Sequence, residues 1–291
     1  MNELLQATPH IRAQQGQLMV IKIGGACLAR PRWVQTLAKQ IATVQALGAQ
    51  VVVVHGGGPQ ANKMQAVLGE EARLVGGRRV TTATAMRALR MTVAGEVNAD
   101  LAAALTAAGA PAVGLHAGSA NLVQAHRRAP MMTAQGEVDF GAVGDIDSVN
   151  AKPLTALMKS GAIPVLCPPV GDGIGGFLNV NADLMAAEIA VALGAKKLLL
   201  LTSVAGILQG QGVDQAVVST LDLHELENLQ QNGDLQDGML VKKVAIARAL
   251  SGGVDQVHVL SGFDPDALLI ELYTNHGAGT LVTAEEGAVL C

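Results

Sequence analysis

Aromatic side chains are scarce, with 3 Phe, 1 Tyr and 1 Trp in 291 residues. That is too few for the stacking platforms on which single-stranded nucleic acids bind. A basic excess is missing as well, because 20 Lys and Arg stand against 24 Asp and Glu for a formal net charge of −4. Nothing in the composition writes a phosphate-backbone footprint, and no nucleic-acid partner is expected. The 3 cysteines, Cys27, Cys167 and Cys291, are odd in number, far apart and form no Cys-x-x-Cys pair. This argues against a disulfide scaffold or a zinc site and fits a reducing, cytoplasmic setting. The 7 histidines show no metal-ligand spacing, so no protein-held metal is expected. Apolar runs stay below the ~18 residues of a membrane span, so no membrane partner is expected. The first residues, MNELLQATPHIRAQQGQ, lack the apolar stretch of a signal peptide.

Aliphatic residues and glycine are abundant instead: half of the chain is hydrophobic, and 34 residues are Gly. Such a chain can bury a large core, which excludes disorder. Short apolar runs ending in turn residues recur, as in LMVIKI (18–23), QVVVVH (50–55), PAVGLH (111–116), AIPVLCPPV (162–170), KLLLLTSV (197–204) and QVHVLSG (256–262). Continuous apolar runs suit strands buried on both faces of a parallel sheet. Between them lie Ala-rich segments of helical spacing, most of them closing on Gly, the common left-handed cap. The alternation predicts a doubly wound α/β sheet. Residues 117–150 and 209–238 break the rhythm and predict hairpins and a short helix. The organisation reads as an N-terminal extension (1–17), helical if ordered, followed by lobes at 18–172 and 173–291 that divide near GDGIGG (171–176).

Several strings carry groups for chemistry. Lys22 lies one residue from the end of an apolar run and precedes Gly24-Gly25. A lysine there is tolerated if its ammonium emerges at the C-terminal edge of the sheet, where α/β proteins bind ligands. Glycines without Cβ atoms let backbone N–H groups approach an anion. HGGGP (55–59) repeats the arrangement after the next run. Neither string is a P-loop or a dinucleotide fingerprint, which sets aside those nucleotide folds and weakens a dehydrogenase reading. Arg78 and Arg79 follow another glycine pair and offer a guanidinium fork to a carboxylate, with at most one serving. In FLNVNADLMA, Asn179, Asn181 and Asp183 alternate into an apolar helix. Asp183 or Asn181 could be a simple helix cap, but a cap does not account for three polar groups. Lys242 and Lys243 begin another helix, where cations oppose the macrodipole and call for an anion.

KIGG, VVHGGGPQ, RVT, GEVN, VGDIDSVN, NVNAD, LLLLTSVAGI, GMLVKK and GAGTLV occur in this order across residues 18–283. In this set the chain resembles the amino acid kinase family, and within it the acetylglutamate kinases. The resemblance implies a three-layer αβα sandwich around a mostly parallel eight-stranded sheet. It also implies transfer of the γ-phosphoryl group of ATP to the side-chain carboxylate of N-acetyl-L-glutamate in arginine biosynthesis. By the same resemblance, Lys22 and Lys242 contact the transferring group and Asp183 organises both. Gly24, Gly25 and Gly57 donate N–H groups to it, and Gly56 and Gly57 border the acceptor. Arg79 grips the acceptor's α-carboxylate, and Asn179 binds its acetamido group or that carboxylate. Lys243 remains a solvated lysine. The nucleotide lies along Thr202, Gly206 and Leu208 and near Gly238 and Met239. Mg2+ rides on the ATP phosphates. Homodimers or trimers of dimers are implied, and ELYTNHGAGT (271–280) matches an arginine-effector pattern with Glu271, Gly277 and Gly279. At 261–266 the chain reads SGFDPD where members often carry Asp-Gly-Arg and a His. Alternative readings are a kinase for carrier-bound aminoadipate or glutamate and an arginine-sensing homologue without turnover.

Overall fold

The computed structural model describes residues 2–76, 78–133, 136–210, 215–235 and 238–285. Cys291 and Gly77 lie outside the described residues. A central sheet is built from β1 (Leu18–Ile23), β2 (Gln50–His55), β3 (Ala112–His116), β4 (Ile163–Cys167), β5 (Lys197–Thr202), β6 (Thr220–Asp222), β7 (Gln256–Ser261) and β8 (Gly279–Thr283). Its order is β6-β8-β7-β5-β1-β2-β4-β3, and every neighbouring pair is parallel except β7–β8. The expected eight-stranded, mostly parallel sheet is therefore present.

Helices cover both faces, as a parallel sheet with apolar side chains on each side requires. Along β1, Val20 belongs to one core with Val52, Leu198, Met185 and Ala245. Its neighbours Met19, Ile21 and Ile23 belong to the other core with Leu37, Ile41, Leu101 and Leu268. The first face is layered by α6 (Lys152–Lys159), α7 (Ala182–Leu193), α8 (Leu223–Gln231) and α9 (Gly238–Ser251). On the second lie α2 (Pro31–Ala46), α5 (Asn98–Ala107) and α10 (Ala267–Tyr273). The N-terminal extension forms α1 (Asn2–Gln14), which packs on α10.

Period two then decides where the reactive side chains go. Lys22 shares the Val20 face and looks toward α7, whereas His55 at the end of β2 shares the Val51 and Val53 face and looks toward α5. The segment 83–109, one helix by its spacing, is α4 (Ala83–Met91), a π-helical turn over Thr92–Val97, and α5. Residues 117–150 form the predicted hairpins, with Val123–Arg127 antiparallel to Gly144–Val149 beside the C-terminal ends of the main strands. No described helix is long and apolar enough to cross a membrane.

Candidate active site

Chain connections leave β1 toward β2 on one side and reach β5 on the other, so a crevice opens beyond the C-terminal ends of these strands. Two glycine loops meet there. Gly24-Gly25 follows β1, and Gly56-Gly57 leads into α3 (Gly58–Val67). They touch backbone to backbone, since a Cβ on Gly25 would sit 2.8 Å from both Cα and N of Gly57. A Cβ on Gly57 would meet Val93 Cγ2 at 2.5 Å, so the π-helical turn closes the loop from the other side. Gln60 ties them further by donating from Nε2 to the Gly25 carbonyl at 2.8 Å.

The free donors in these loops are fewer than the sequence suggests. Gly24 N–H donates to Leu201 O at 2.9 Å and Gly56 N–H to Ile23 O at 3.0 Å. Gly24 therefore extends the sheet, and its N–H is not available to a phosphate. Among the described residues no acceptor takes the N–H of Gly25 or Gly57.

Above the loops sits a charged trio. Asn181 caps α7 by accepting from the N–H groups of Asp183 (2.8 Å) and Leu184 (3.1 Å), which fixes Asp183 in the first turn. Lys22 Nζ lies 2.8 Å from Asp183 Oδ1, and Lys242 Nζ lies 3.3 Å from Oδ2. Lys22 and Asp183 are 5% and 6% exposed, a burial that charges withstand only when paired. Burial is the largest influence on Asp183 and would raise its pKa, but the two ammonium groups outweigh it and hold the carboxyl below its ordinary value. Burial also lowers the pKa of Lys242, against the pull of Asp183. Lys243, by contrast, bonds Glu227 and Gln230 of α8. It is paired rather than simply solvated.

A cavity of about 660 Å³ runs outward from Lys22 and Asp183, lined also by Gly25, Gly56, Gly57, Arg79 and Asn179 among others, while Lys242 does not line it. Arg79 is held by neutral acceptors: Gln65 Oε1 and Gly58 O, each at 3.2 Å, and Asn62 Oδ1. No acidic side chain pairs with it among the described residues, and burial lowers its pKa. An oriented guanidinium with only neutral neighbours is a ready site for a carboxylate. Asn179 Nδ2 donates to Thr81 Oγ1 at 3.1 Å. Asn179, Asn181 and Asp183 thus make different contacts while all three line the same cavity.

Thr202, Gly206, Leu208, Gly238 and Met239 do not line this cavity; its α9 wall is Leu240, Val241 and Val244. Thr202 ends β5, Leu208 opens a short hairpin with Val217, and Gly238-Met239 start α9. A Cβ on Gly206 would lie 2.7 Å from Thr280 Oγ1, so this glycine is needed for packing. Near the C-terminus, Glu271 is buried against His258, with Nδ1 2.6 Å from Oε1, and accepts from Ala278 N–H at 2.6 Å. Gly277, at φ +65°, lies beside that carboxylate. Gly279 opens β8, and a Cβ there would collide with the Val259 carbonyl, so this glycine serves the sheet. Asn62, Gln65 and Thr81 were not legible as site residues, because each acts by holding a side chain distant in sequence, Arg79 for the first two and Asn179 for Thr81.

A profile of the Amino acid kinase family matches residues 17–261. The chain belongs to that family. Among its relatives, an acetylglutamate kinase from Frankia alni is 45% identical over 97% of this chain and 81% of its own. Another from Myxococcus xanthus is 39% identical over 97% and 94%. Among solved structures, N-acetylglutamate synthase from Neisseria gonorrhoeae complexed with coenzyme A and N-acetyl-glutamate superposes with a TM-score of 0.84 at 27% identity. The match covers 98% of this chain and 63% of the synthase, so the chain spans less than two thirds of that protein. The same synthase complexed with coenzyme A and L-arginine gives 0.80 at 25% identity, covering 98% and 65%. An amino acid kinase needs positive charge and N–H donors where two anions meet, and both are found around Asp183.

Proposed function

We propose that this chain transfers the γ-phosphoryl group of ATP to the side-chain carboxylate of N-acetyl-L-glutamate, in arginine biosynthesis. The observation that carries the reading is the Lys22–Asp183–Lys242 trio, whose buried Lys22 and Asp183 line one cavity with Gly25 and Gly57, the N–H groups of which no described acceptor takes. In the reaction a carboxylate oxygen attacks the γ-phosphorus, the bond to the β–γ bridging oxygen breaks, and ADP leaves beside an acyl phosphate. Both reactants are anions, so the work is alignment and charge neutralisation. Lys22 and Lys242 neutralise the transferring group from its two sides, and Asp183 holds both ammonium groups in place. Gly25 and Gly57 donate to its oxygens. A carboxylate with an ordinary pKa of about 4.3 is already ionised near pH 7, so no general base is required.

Arg79 takes the α-carboxylate and Asn179 the acetamido group. The acceptor thus rests on the N-terminal lobe (18–172), with Asn179 reaching it from the C-terminal lobe (173–291), and the nucleotide lies on that second lobe over Thr202, Leu208 and Gly238-Met239. The residues present offer no cage for Mg2+. Asp183 is committed to two lysines, and the described residues include no group of three or more His, Cys, Asp or Glu that could hold a metal. The ion is carried by the nucleotide's phosphates, where it offsets their charge. Glu271, buried beside His258 and Gly277, is the proposed contact of an arginine effector's guanidinium, a reading favoured by the arginine complex of the related synthase. Self-association into dimers or trimers of dimers in the cytoplasm completes the proposal.

The test is ATP turnover with N-acetyl-L-glutamate, with the acyl phosphate trapped by hydroxylamine. Hydroxamate formation is expected. Its absence, together with turnover of an aminoadipate or glutamate side chain on a carrier protein, would overturn the substrate assignment.

A further inference from the structure

Two buried polar side chains have no part in the chemistry above. His55 ends β2 immediately before the glycine loop and is wholly buried, and Asn98 begins α5 just after the π-helical turn and is 4% exposed. A buried imidazole is costly unless both ring nitrogens find partners. Here both do, and the partners identify the tautomer. Nδ1 lies 2.8 Å from the Gly56 carbonyl, and a carbonyl can only accept, so Nδ1 carries the proton. Nε2 is then an acceptor, and it lies 3.0 Å from Asn98 Nδ2, which donates. The other hydrogen of that amide goes to Val165 O on β4, at 3.1 Å. Gly114 on β3 leaves room for Asn98, because a Cβ there would run into Asn98 Oδ1. A buried chain of hydrogen bonds thus runs from β4 to the glycine loop.

The peptide bond carries this order one step further. The Gly56 carbonyl and the Gly57 N–H belong to one planar trans unit, so they point in opposite directions. His55 grips the oxygen from the buried side, and the N–H is thereby turned toward the cavity, where no described acceptor takes it. Two adjacent glycines hardly restrict rotation of the peptide plane between them. Unanchored, the same unit could present its carbonyl to an incoming anion, which would repel it.

We propose that His55, oriented by Asn98, is a positioning residue that locks the Gly56–Gly57 peptide with its N–H facing the transferring phosphoryl group. This rests on the reading that Gly57 donates to that group. Burial pushes the imidazole down to about 4, so the neutral ring and its tautomer persist through the working pH range. Protonation would set a second N–H against the Asn98 amide.

The experiment compares His55→Asn with His55→Leu. An asparagine Nδ2 can stand where the histidine Nδ1 stands and keep a donor on Gly56 O, whereas leucine fills similar space without one. Removing the lock is expected to lower kcat of His55→Leu by about 10²-fold, the scale for losing one oriented donor, with both KM values within about threefold. His55→Asn should remain within about tenfold of the parent. Equal kcat in the two folded variants, or a loss confined to KM, would overturn the proposal. If the leucine variant fails to fold, imidazole 15N shifts of the parent protein decide. A neutral Nδ1–H tautomer for His55 from pH 5 to 8 is expected, and an Nε2–H tautomer or a titration in that range would overturn it. A parent protein that folds but gives no hydroxamate defeats the substrate reading instead and leaves the NMR outcome standing.

Discussion

Asp183→Asn keeps the shape of the side chain and removes the negative charge between the ammonium groups of Lys22 and Lys242. In the parent the carboxylate lies 2.8 Å from Lys22 Nζ and 3.3 Å from Lys242 Nζ, and only 6% of Asp183 is exposed. Breaking a buried pair costs about 3–5 kcal/mol when the survivor stays charged. Lys242 limits that cost, because burial already lowers its pKa and loss of Asp183 lowers it further, which makes the neutral form less costly to reach. The variant should therefore fold, with a lowered Tm, and carry a Lys242 that is no longer held in place. One misplaced stabilising group is worth about 10²–10³ in rate, so kcat should fall at least about 100-fold at pH 7.5. The KM for N-acetyl-L-glutamate should change less than about threefold, since Arg79 and Asn179 are untouched. Hydroxamate formation at saturating ATP and acceptor reads all of this. A kcat within threefold of the parent, or a loss located wholly in the acceptor KM, would refute the organising role.

Other expectations follow from neighbouring geometry. Gly57→Ala places a Cβ 2.5 Å from Val93 Cγ2, an overpacking worth about 1–3 kcal/mol, and should cost kcat. Adding Val93→Ala should restore much of it, and a fully active single variant would show that the cradle tolerates displacement. Lys242→Ala should lower kcat about 100-fold or more with modest KM effects, whereas Lys243→Ala loses only contacts to α8 and should leave steady-state kinetics near the parent's. His55 titrates near 6.5 when unfolded and at about 4 when folded, a depressed value. The associated stability is fully present above pH 6.5 and is lost as pH falls toward 4, amounting to about 3 kcal/mol. Urea unfolding at pH 7 and pH 4.5 should show a smaller drop for His55→Asn than for the parent, and equal drops would contradict the buried neutral ring.

Much of the architecture could be read locally, because apolar runs and Ala-rich helical spacing repeat along the chain and glycines punctuate them. Lys22 was visible as a misplaced charge in an apolar strand, and alternation alone puts it on the Val20 face. Of the two cap candidates, Asp183 and Asn181, the structure selects Asn181, and its cap bond is what sets Asp183 in the first turn of α7. The alternation of Asn179, Asn181 and Asp183 has strand meaning only up to Asn181, because the helix begins at Ala182.

The partners of these groups depend on contacts between distant segments. Asp183 reaches Lys22 because α7 packs over β1, and Lys242 reaches Asp183 because α9 packs against α7. Only the folded sheet reveals that the Gly24 N–H is taken by Leu201 and that no acceptor among the described residues takes those of Gly25 and Gly57. Likewise, the tautomer of His55 follows from Asn98 and Gly56, whose positions are set by a π-helical turn and by strand β4. Residue types and their periodicity determined which groups were available and which face each would take. Tertiary packing decided which of them touch, because hydrogen bonds and ion pairs act over a few ångströms and sequence separation does not measure that distance.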